Sequence, residues 1–188
     1  MKKCYCVIEP QTNKNRFTVN IALISIFSAL WVVLNLTVAP LGFSLFGLPV
    51  VHGVIIFFML LLVTWATGQY GAASAVGIIG SAIALLAGGR LPIVGFAVSA
   101  LLFDLILVVN HHKVNMKPFN IVIALLASIV CAYFAGVVNG IFILSFTPTF
   151  SLTVWGGWTI VGGIIGVIIA LPIIGALEKA QVKKVKTA

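Results

Sequence analysis

The stretch that decides the fold class of this chain is FTVNIALISIFSALWVVLNLTV, residues 17–38. It contains no charged residue, and roughly 20 mostly apolar residues in a helix are enough to cross the hydrocarbon core of a bilayer. The whole chain shares this bias, since 62% of its residues are apolar and only 7% are charged. Soluble domains have about 25% charged residues. The sequence therefore predicts an integral membrane protein.

Five further stretches qualify, or nearly qualify, as membrane spans. They are residues 52–66, 70–87, 91–109, 119–144 and 154–177. We predict an all-α membrane protein in which residues 17–177 form one compact bundle of six transmembrane helices, between basic cytoplasmic tails at 1–16 and 178–188. Six helices with short loops leave no room for a nucleotide-binding fold. Any uphill transport would therefore take its energy from a partner or an ion gradient.

The basic residues predict the orientation, because loops rich in Lys and Arg stay in the cytoplasm. Arg90 is the exception among the 11 basic residues, as the other ten lie in the two tails and in the segment after the fourth span. With six spans these three segments share one side, so both termini are predicted to be cytoplasmic. Residues 39–51, 88–90 and 145–153 are then outer loops. The net charge of +8 reflects topology and attraction to anionic lipids, not nucleic-acid binding.

Polar side chains are expensive inside a bilayer, so those within spans indicate a function or a specific contact. Most are predicted near the outer ends of five helices. These candidate substrate-binding residues are Trp31, Asn35, His52, Arg90, Asn139, Trp155 and Trp158. Their shared depth predicts a pocket open to the outside. Two alternatives remain: Trp155 and Trp158 also fit an interfacial aromatic belt, and Arg90 could reach lipid phosphates rather than hold an anionic ligand.

Asp104 is the only acidic residue within the predicted spans. It could carry a proton or cation, but it lies towards the cytoplasmic side, away from the outer polar cluster. A structural or docking role is therefore favoured, with a basic residue, a helix end or a partner subunit as its contact. No metal or cofactor is expected, because adjacent His111 and His112 cannot face one metal from a regular helix, and Cys4-x-Cys6 lacks a second ligand pair.

Small residues spaced by four mark surfaces where helices in lipid approach closely. The runs predicted to pack within the bundle are Ala73-x-x-x-Gly77-x-x-x-Ser81 and Gly162-x-x-x-Gly166. On the first span, Ala22, Ser25 and Ala29 cluster on one smooth face at about 100° per residue. This face is suited to another helix, whereas Trp31 and Asn35 lie on a different one.

The first-span run Ser25-x-x-x-Ala29, with Ala22 beside it, corresponds to the Ala-x-x-x-Ala pattern of one transporter family. The segments YGAA (70–73), GGRLP (88–92) and ALLFD (100–104) are similar in layout to the hydroxymethylpyrimidine/thiamine-type members of that family. With its length, six spans, inner termini and long uncharged first loop, the chain resembles the substrate-binding S-components of energy-coupling factor (ECF) vitamin transporters. Acidic residues found in the third helix of many such members are missing here.

The resemblance implies a multi-pass plasma-membrane protein that captures a vitamin or vitamin precursor at its outer face. A coupling membrane subunit and two ATPases would drive release inside, and Ala22, Ser25 and Ala29 would contact the coupling subunit. The first loop would help to close the pocket. The tryptophans and Tyr133 would stack on a heteroaromatic ring. The groups that would hydrogen-bond this ring are Asn35, Asn139 and His52, and Arg90 would hold an anionic part of the ligand.

Other functions are also open at this point. A self-sufficient secondary carrier would use Asp104 as its coupling site, but the chain shows no internal repeat and few intramembrane ionisable groups. A nickel or cobalt S-component would resemble its relatives in a histidine near the N-terminus. An enzyme is not expected, because the membrane separates His52 from Asp104, His111 and His112.

Overall fold

The protein, seen here as a computed structural model, is described at residues 13–88, 93–110, 114 and 118–180. This part of the chain is helical and contains no strand. Six helices make up the bundle: α1 (Asn13–Phe46), α2 (Val50–Thr67), α3 (Ala72–Leu86), α4 (Ile93–Leu107), α5 (Pro118–Ile143) and α6 (Pro148–Lys179). By length and composition, α1, α2, α5 and α6 can each cross a membrane, and α3 and α4 are shorter apolar helices. The predicted all-helical membrane bundle is confirmed.

Helix α2 occupies the centre of the bundle. Its consecutive residues Met59, Leu60 and Leu61 point in directions about 100° apart and are all fully buried, as expected for a helix that is apolar all round. The other helices surround it in the order α1, α3, α4, α5, α6, each contacting the next. Within the described residues, α6 and α1 make no extensive contact with each other.

Glycines allow the helices to approach closely. A Cβ atom on Gly162 of α6 would collide with the backbone oxygen of Val50, and one on Gly166 would meet that of Val54. Both glycines therefore pack α6 against α2. Gly77 of α3 is covered in the same way by the side chain of Ala100 in α4. The prediction that both small-residue runs pack within the bundle is confirmed.

The predicted outer loop at 39–51 is wrong. Helix α1 continues through Pro40 to Phe46, and the connection to α2 is Gly47, Leu48 and Pro49. Backbone groups near a bilayer favour continued helix, because unpaired ones are costly there. The helix ends where Gly47 takes a left-handed conformation, with φ of 66°, and donates its N–H to the Phe43 carbonyl at 2.8 Å. Residues after Pro40 thus reach the end of the bundle on a rigid element.

The predicted outer loop at 145–153 is likewise mostly helical. Helix α6 begins at Pro148, a residue whose fixed φ suits the first helical position. The end of α5 (Asn139–Ile143) and an early part of α6 (Ser151–Trp155) are both π-helical turns. Between them Ser145 has a positive φ of 53°. The α5–α6 connection is therefore short and tightly wound.

Candidate functional site at the open end of the bundle

A cavity of about 920 Å³ opens at one end of the bundle. This is the end where α1, α3 and α5 finish and where α2, α4 and α6 begin. All six helices or their connecting turns contribute to its wall. In the topology predicted from charge, it is the outer end.

Four of the seven predicted substrate-binding residues line this cavity: Asn35 of α1, His52 of α2, Asn139 of α5 and Trp155 of α6. They come from four different helices, so only the folded bundle brings them together. The structure thus places a predicted polar cluster around one space. Their role as ligands of a substrate remains a prediction.

The other predicted residues lie elsewhere. Trp31 is 1% exposed and packs against Gly80 of α3, where a Cβ atom would collide with its ring. Burial of this large apolar ring in the core is favourable because it removes much apolar surface from the solvent. Trp158 is 40% exposed on the outside of the bundle, a position that suits the interfacial belt. Tyr133 is also partly exposed and lies against Gly156.

Arg90 lies outside the described residues, so the structure does not test its predicted contact with an anionic ligand. Gly88, two positions earlier, lines the cavity and has a φ of 87°. The last described residue before Arg90 is therefore at the cavity wall.

The polar groups of the cavity wall are buried and incompletely paired. Asn35 donates its Nδ2 hydrogen to the Trp31 carbonyl at 2.9 Å, which leaves its Oδ1 without a partner among the described residues. Asn139 Oδ1 and His52 Nε2 are also buried and unpaired there. Buried polar atoms nearly always have a hydrogen-bond partner in folded proteins. Three residues of the cavity wall thus carry such an atom, and Asn139 Oδ1 lies against Gly95 of α4.

Aromatic rings form much of the remaining wall. Trp155 makes edge contacts with Phe43 and Phe146, at ring-centroid distances of 6.3 and 5.1 Å. On the opposite wall, His52 lies 4.4 Å from the ring of Phe96. Planar ligands pack well on such surfaces.

Three of these aromatic residues were missed in the sequence. Phe43 and Phe146 fell in predicted loops, and Phe96 is one of 13 phenylalanines in the chain with nothing to distinguish it. A usable signal existed for Phe43. Asn35, Ala39 and Phe43 follow one another at intervals of four, which places them on one face of a helix, and all three line the cavity.

Two π-helical turns position the cavity residues of α5 and α6. Asn139 begins one of them and Trp155 ends the other. Such turns change the direction of side chains and occur often at functional sites. Gly140 lies directly against Ser151, so the two turns pack against each other beneath the α5–α6 connection.

Asp104 lies far from the cavity. It is eleven residues beyond Ile93, which corresponds to about 16 Å along α4. Its carboxylate is buried and accepts the backbone N–H of Ser74 at 2.6 Å. Ser74 lies in the first turn of α3, where backbone N–H groups have no partner within the helix and negative charge is favourable. Within the described residues, the contact predicted with a helix end is observed for Asp104.

The predicted partner face of α1 lies on the outside of the bundle. Ala22, Ser25 and Ala29 are all exposed. Ser25 donates its hydroxyl to the Ile21 carbonyl at 2.9 Å, so the helix itself satisfies this polar group. The face is therefore small and suited to contact with another helix in lipid. No group of three or more potential metal ligands occurs in the described part of the chain.

No protein-family model and no curated protein matches this sequence. Among solved structures, the fold is similar to one described as a crystal structure of an S-component of an ECF transporter. The TM-score is 0.64 at 16% sequence identity, and the match covers 89% of this chain and 86% of the other. Four helices long and apolar enough to cross a membrane agree with this fold. The chain has the fold of an ECF-transporter S-component.

Proposed function

We propose that this protein is the substrate-capturing membrane subunit of an ECF-type importer for a vitamin or vitamin precursor. The observation that carries the proposal is the cavity at the predicted outer end of an S-component fold. Its aromatic wall includes buried polar residues with atoms that have no partner in the described part of the chain. Its volume of about 920 Å³ lies within the usual range of small-molecule sites. A coupling membrane subunit and two ATPases would supply the energy.

The proposed substrate is a heteroaromatic compound. Trp155 and Phe43 offer ring surfaces, and Asn35, His52 and Asn139 offer hydrogen-bonding groups around them. Arg90 would bind an anionic part of the substrate from the turn that follows Gly88. Hydroxymethylpyrimidine and thiamine are the first compounds to test, because the sequence resembles that type of S-component.

The proposed contact with the coupling subunit is the face formed by Ala22, Ser25 and Ala29. Small side chains there allow a partner helix to approach the α1 backbone. Ala29 lies only six residues before Asn35, but it is exposed on the outside of the bundle, whereas Asn35 is buried at the cavity wall. Capture of substrate and assembly with the partner are therefore separable by mutation.

We infer a structural role for Asp104. It binds the first turn of α3, at the end of the bundle opposite the cavity. The alternative of a secondary carrier that uses Asp104 would need a coupling site near the substrate, and Asp104 is not near the cavity.

The test combines assembly with ligand binding. We expect Ala29→Leu to abolish co-purification with the coupling subunit and ATPases, because the larger side chain separates the two helices, while thermal shifts with the bound vitamin stay unchanged. Ala82→Leu makes the same change at an exposed position of α3 and should leave assembly intact. Normal assembly of Ala29→Leu would remove this face from the interface. Absence of both assembly and ligand binding in the wild-type protein would contradict the proposed function.

A further inference from the structure

The cavity reaches round one side of α1. Asn35 and Ala39 line it from the buried face of this helix. The cavity wall also includes residues further round the helix, namely Leu36, Pro40 and Phe43. At about 100° per residue, Leu36 and Pro40 point about 100° and 140° away from Asn35. Pro40 is exposed and Phe43 is 41% exposed, so this side of the cavity extends to the surface of the bundle.

This side of α1 faces α6. Trp31, which packs against Gly80 of α3, lies about 40° from Asn35 in the opposite sense. Phe43 instead contacts Trp155 of α6, with the ring centroids 6.3 Å apart. Within the described residues, α1 and α6 make no extensive contact with each other. The edges of two aromatic rings therefore bound a gap between the two helices.

The gap lies at the depth of lipid chains. Gly42 packs against Val51, in the first turn of α2, so these two residues lie at one level. Helix α2 has 18 residues, which make about 27 Å of helix and match the hydrocarbon core of about 30 Å. Its first turn therefore marks one edge of that core. Leu36 comes six residues before Gly42, about 9 Å deeper along α1, so the cavity wall at Leu36 lies beside hydrocarbon.

The walls of the gap are apolar. Leu36, Phe43 and Trp155 present aliphatic and aromatic surface, and none of the described residues of the cavity wall is Asp, Glu, Lys or Arg. Hydrocarbon packed against such walls gains dispersion contacts, whereas water finds few hydrogen-bond partners there. A lipid chain can enter at little cost, because the surroundings that it leaves are equally apolar.

From this geometry we propose that the cavity opens sideways to the bilayer between α1 and α6, and that one acyl chain of a membrane phospholipid occupies it in the absence of substrate. The chain enters past Leu36, deeper in the bilayer than the contact of Phe43 with Trp155. The lipid head group stays at the level of the first turn of α2. A substrate has to displace this chain to be captured. The inference concerns a lipid site and holds whatever the substrate is, so it goes beyond the proposed function.

A photoreactive lipid tests this opening on the wild-type protein. The probe is a phosphatidylcholine with a diazirine in the middle of one acyl chain, which loses N₂ on irradiation and labels the nearest side chain. Ile93 and Phe96 of α4 line the cavity but are only 4% and 3% exposed. After irradiation of vesicles that contain this lipid, we expect peptide mass spectrometry to find adducts on both residues, because a chain inside the cavity contacts them.

The control residue is Phe103, on the same helix. It is 0% exposed and is not one of the residues that line the cavity, so it should remain unlabelled. Labelling confined to the exposed surface of the bundle, without adducts on Ile93 and Phe96, overturns the proposal. Equal labelling of Phe96 and Phe103 overturns it as well, because the adducts would then not depend on the cavity.

Variants at the gap locate the route of entry. Leu36→Trp places a larger ring in the gap and should abolish the adducts on Phe96. Leu45→Trp makes the same change at a position that is 79% exposed and outside the described cavity wall, and it should retain them. Pro40→Trp, at an exposed position of the cavity wall, repeats the test if Leu36→Trp does not fold. Unchanged labelling of Phe96 in either folded variant would show that the chain enters elsewhere and overturn the side opening.

Discussion

Asn35 and Trp31 lie one helical turn apart on α1, yet they have different environments. The Trp31 ring fills a space in the core against Gly80 of α3, and its carbonyl receives the Asn35 side chain. A large apolar ring gains most from full burial. The shorter amide remains at the cavity wall. One turn of α1 thus anchors the helix in the bundle and orients the cavity group next to it.

The two neighbouring tryptophans of α6 make a matched pair for ligand binding. Trp155→Leu should lower the affinity for the vitamin that the wild-type protein binds by roughly tenfold. Loss of ring packing costs about 1–1.5 kcal/mol. Trp158→Leu should leave the affinity unchanged, since Trp158 lies outside the cavity. Titration calorimetry on both variants measures this difference. Equal losses would place Trp158 in the site and contradict the assignment.

Asp104 stabilises the start of α3, so its removal should affect folding more than binding. Asp104→Ala should lower the free energy of unfolding by about 1–3 kcal/mol, the usual cost of leaving a buried N–H without its acceptor. Ser74→Ala keeps the backbone N–H and should change stability little. Denaturation in detergent compares the two variants. A large fall in ligand affinity with unchanged stability would instead support a transport role for Asp104.

The polar residues of the site could be predicted from the sequence, whereas much of its aromatic wall could not. Asn35 and Asn139 are conspicuous because amides are rare and costly in membrane helices. Phe43 and Phe146 are ordinary apolar residues in this composition, and only the path of the backbone distinguishes them. Trp31 does not line the cavity, because its ring is buried against the small Gly80 of another helix. This contact could not be predicted from the sequence of α1.

At the scale of helices, glycines of α6 pack directly against the backbone of α2. Gly162→Ala should lower the thermal unfolding temperature, because the added Cβ collides with the Val50 backbone and overpacking costs about 1–3 kcal/mol. Gly157→Ala is the control on the same helix, as no atom lies within 4 Å of its added Cβ.

Helix propensity predicts that Gly157→Ala is neutral or stabilising. Thermal unfolding in one detergent should therefore shift the two variants in opposite directions, or shift Gly162→Ala alone. Equal destabilisation by both alanines would show that the glycines act through helix flexibility rather than through contact with α2.

The length of α1 shows where the sequence-based prediction of elements failed. The predicted loop at 39–51 contains Pro40, which removes a backbone donor. The apolar residues that follow keep the chain helical to Phe46, and Gly47 provides the left-handed residue that ends it. The existence and order of the six helices follow from composition, but their ends depend on local hydrogen bonds and on packing around the cavity.

For the molecule as a whole, the cavity lies at the end of the bundle away from Asp104 and Glu178. Helix α2 runs between these ends, and Trp65 near its C-terminus donates its Nε1 hydrogen to Glu178 at 3.2 Å. The cavity end has an aromatic wall without formal charge in its described part, whereas the opposite end carries the buried carboxylate of Asp104 and the partly buried one of Glu178. The two ends of the bundle therefore differ in the ionisable groups that they carry. The Lys and Arg residues of the sequence are also distributed unequally between the two ends.

This asymmetry makes the orientation in the membrane testable with single cysteines. In a background in which Cys4, Cys6 and Cys131 are replaced by alanine, Leu45→Cys should react with a membrane-impermeant maleimide in intact cells. Leu45 is 79% exposed near the cavity end of α1. Tyr70→Cys, at a 67% exposed position on the opposite end, should react only after permeabilisation.

The physical reason is that Lys-rich segments are retained in the cytoplasm during insertion, and both tails and the segment after α4 are basic. The cavity then faces outwards, as capture of an external nutrient requires. Labelling of Tyr70→Cys in intact cells, with protection of Leu45→Cys, would place the cavity in the cytoplasm. The same set of wall residues would then serve an intracellular ligand, and uptake from outside would be excluded as its role.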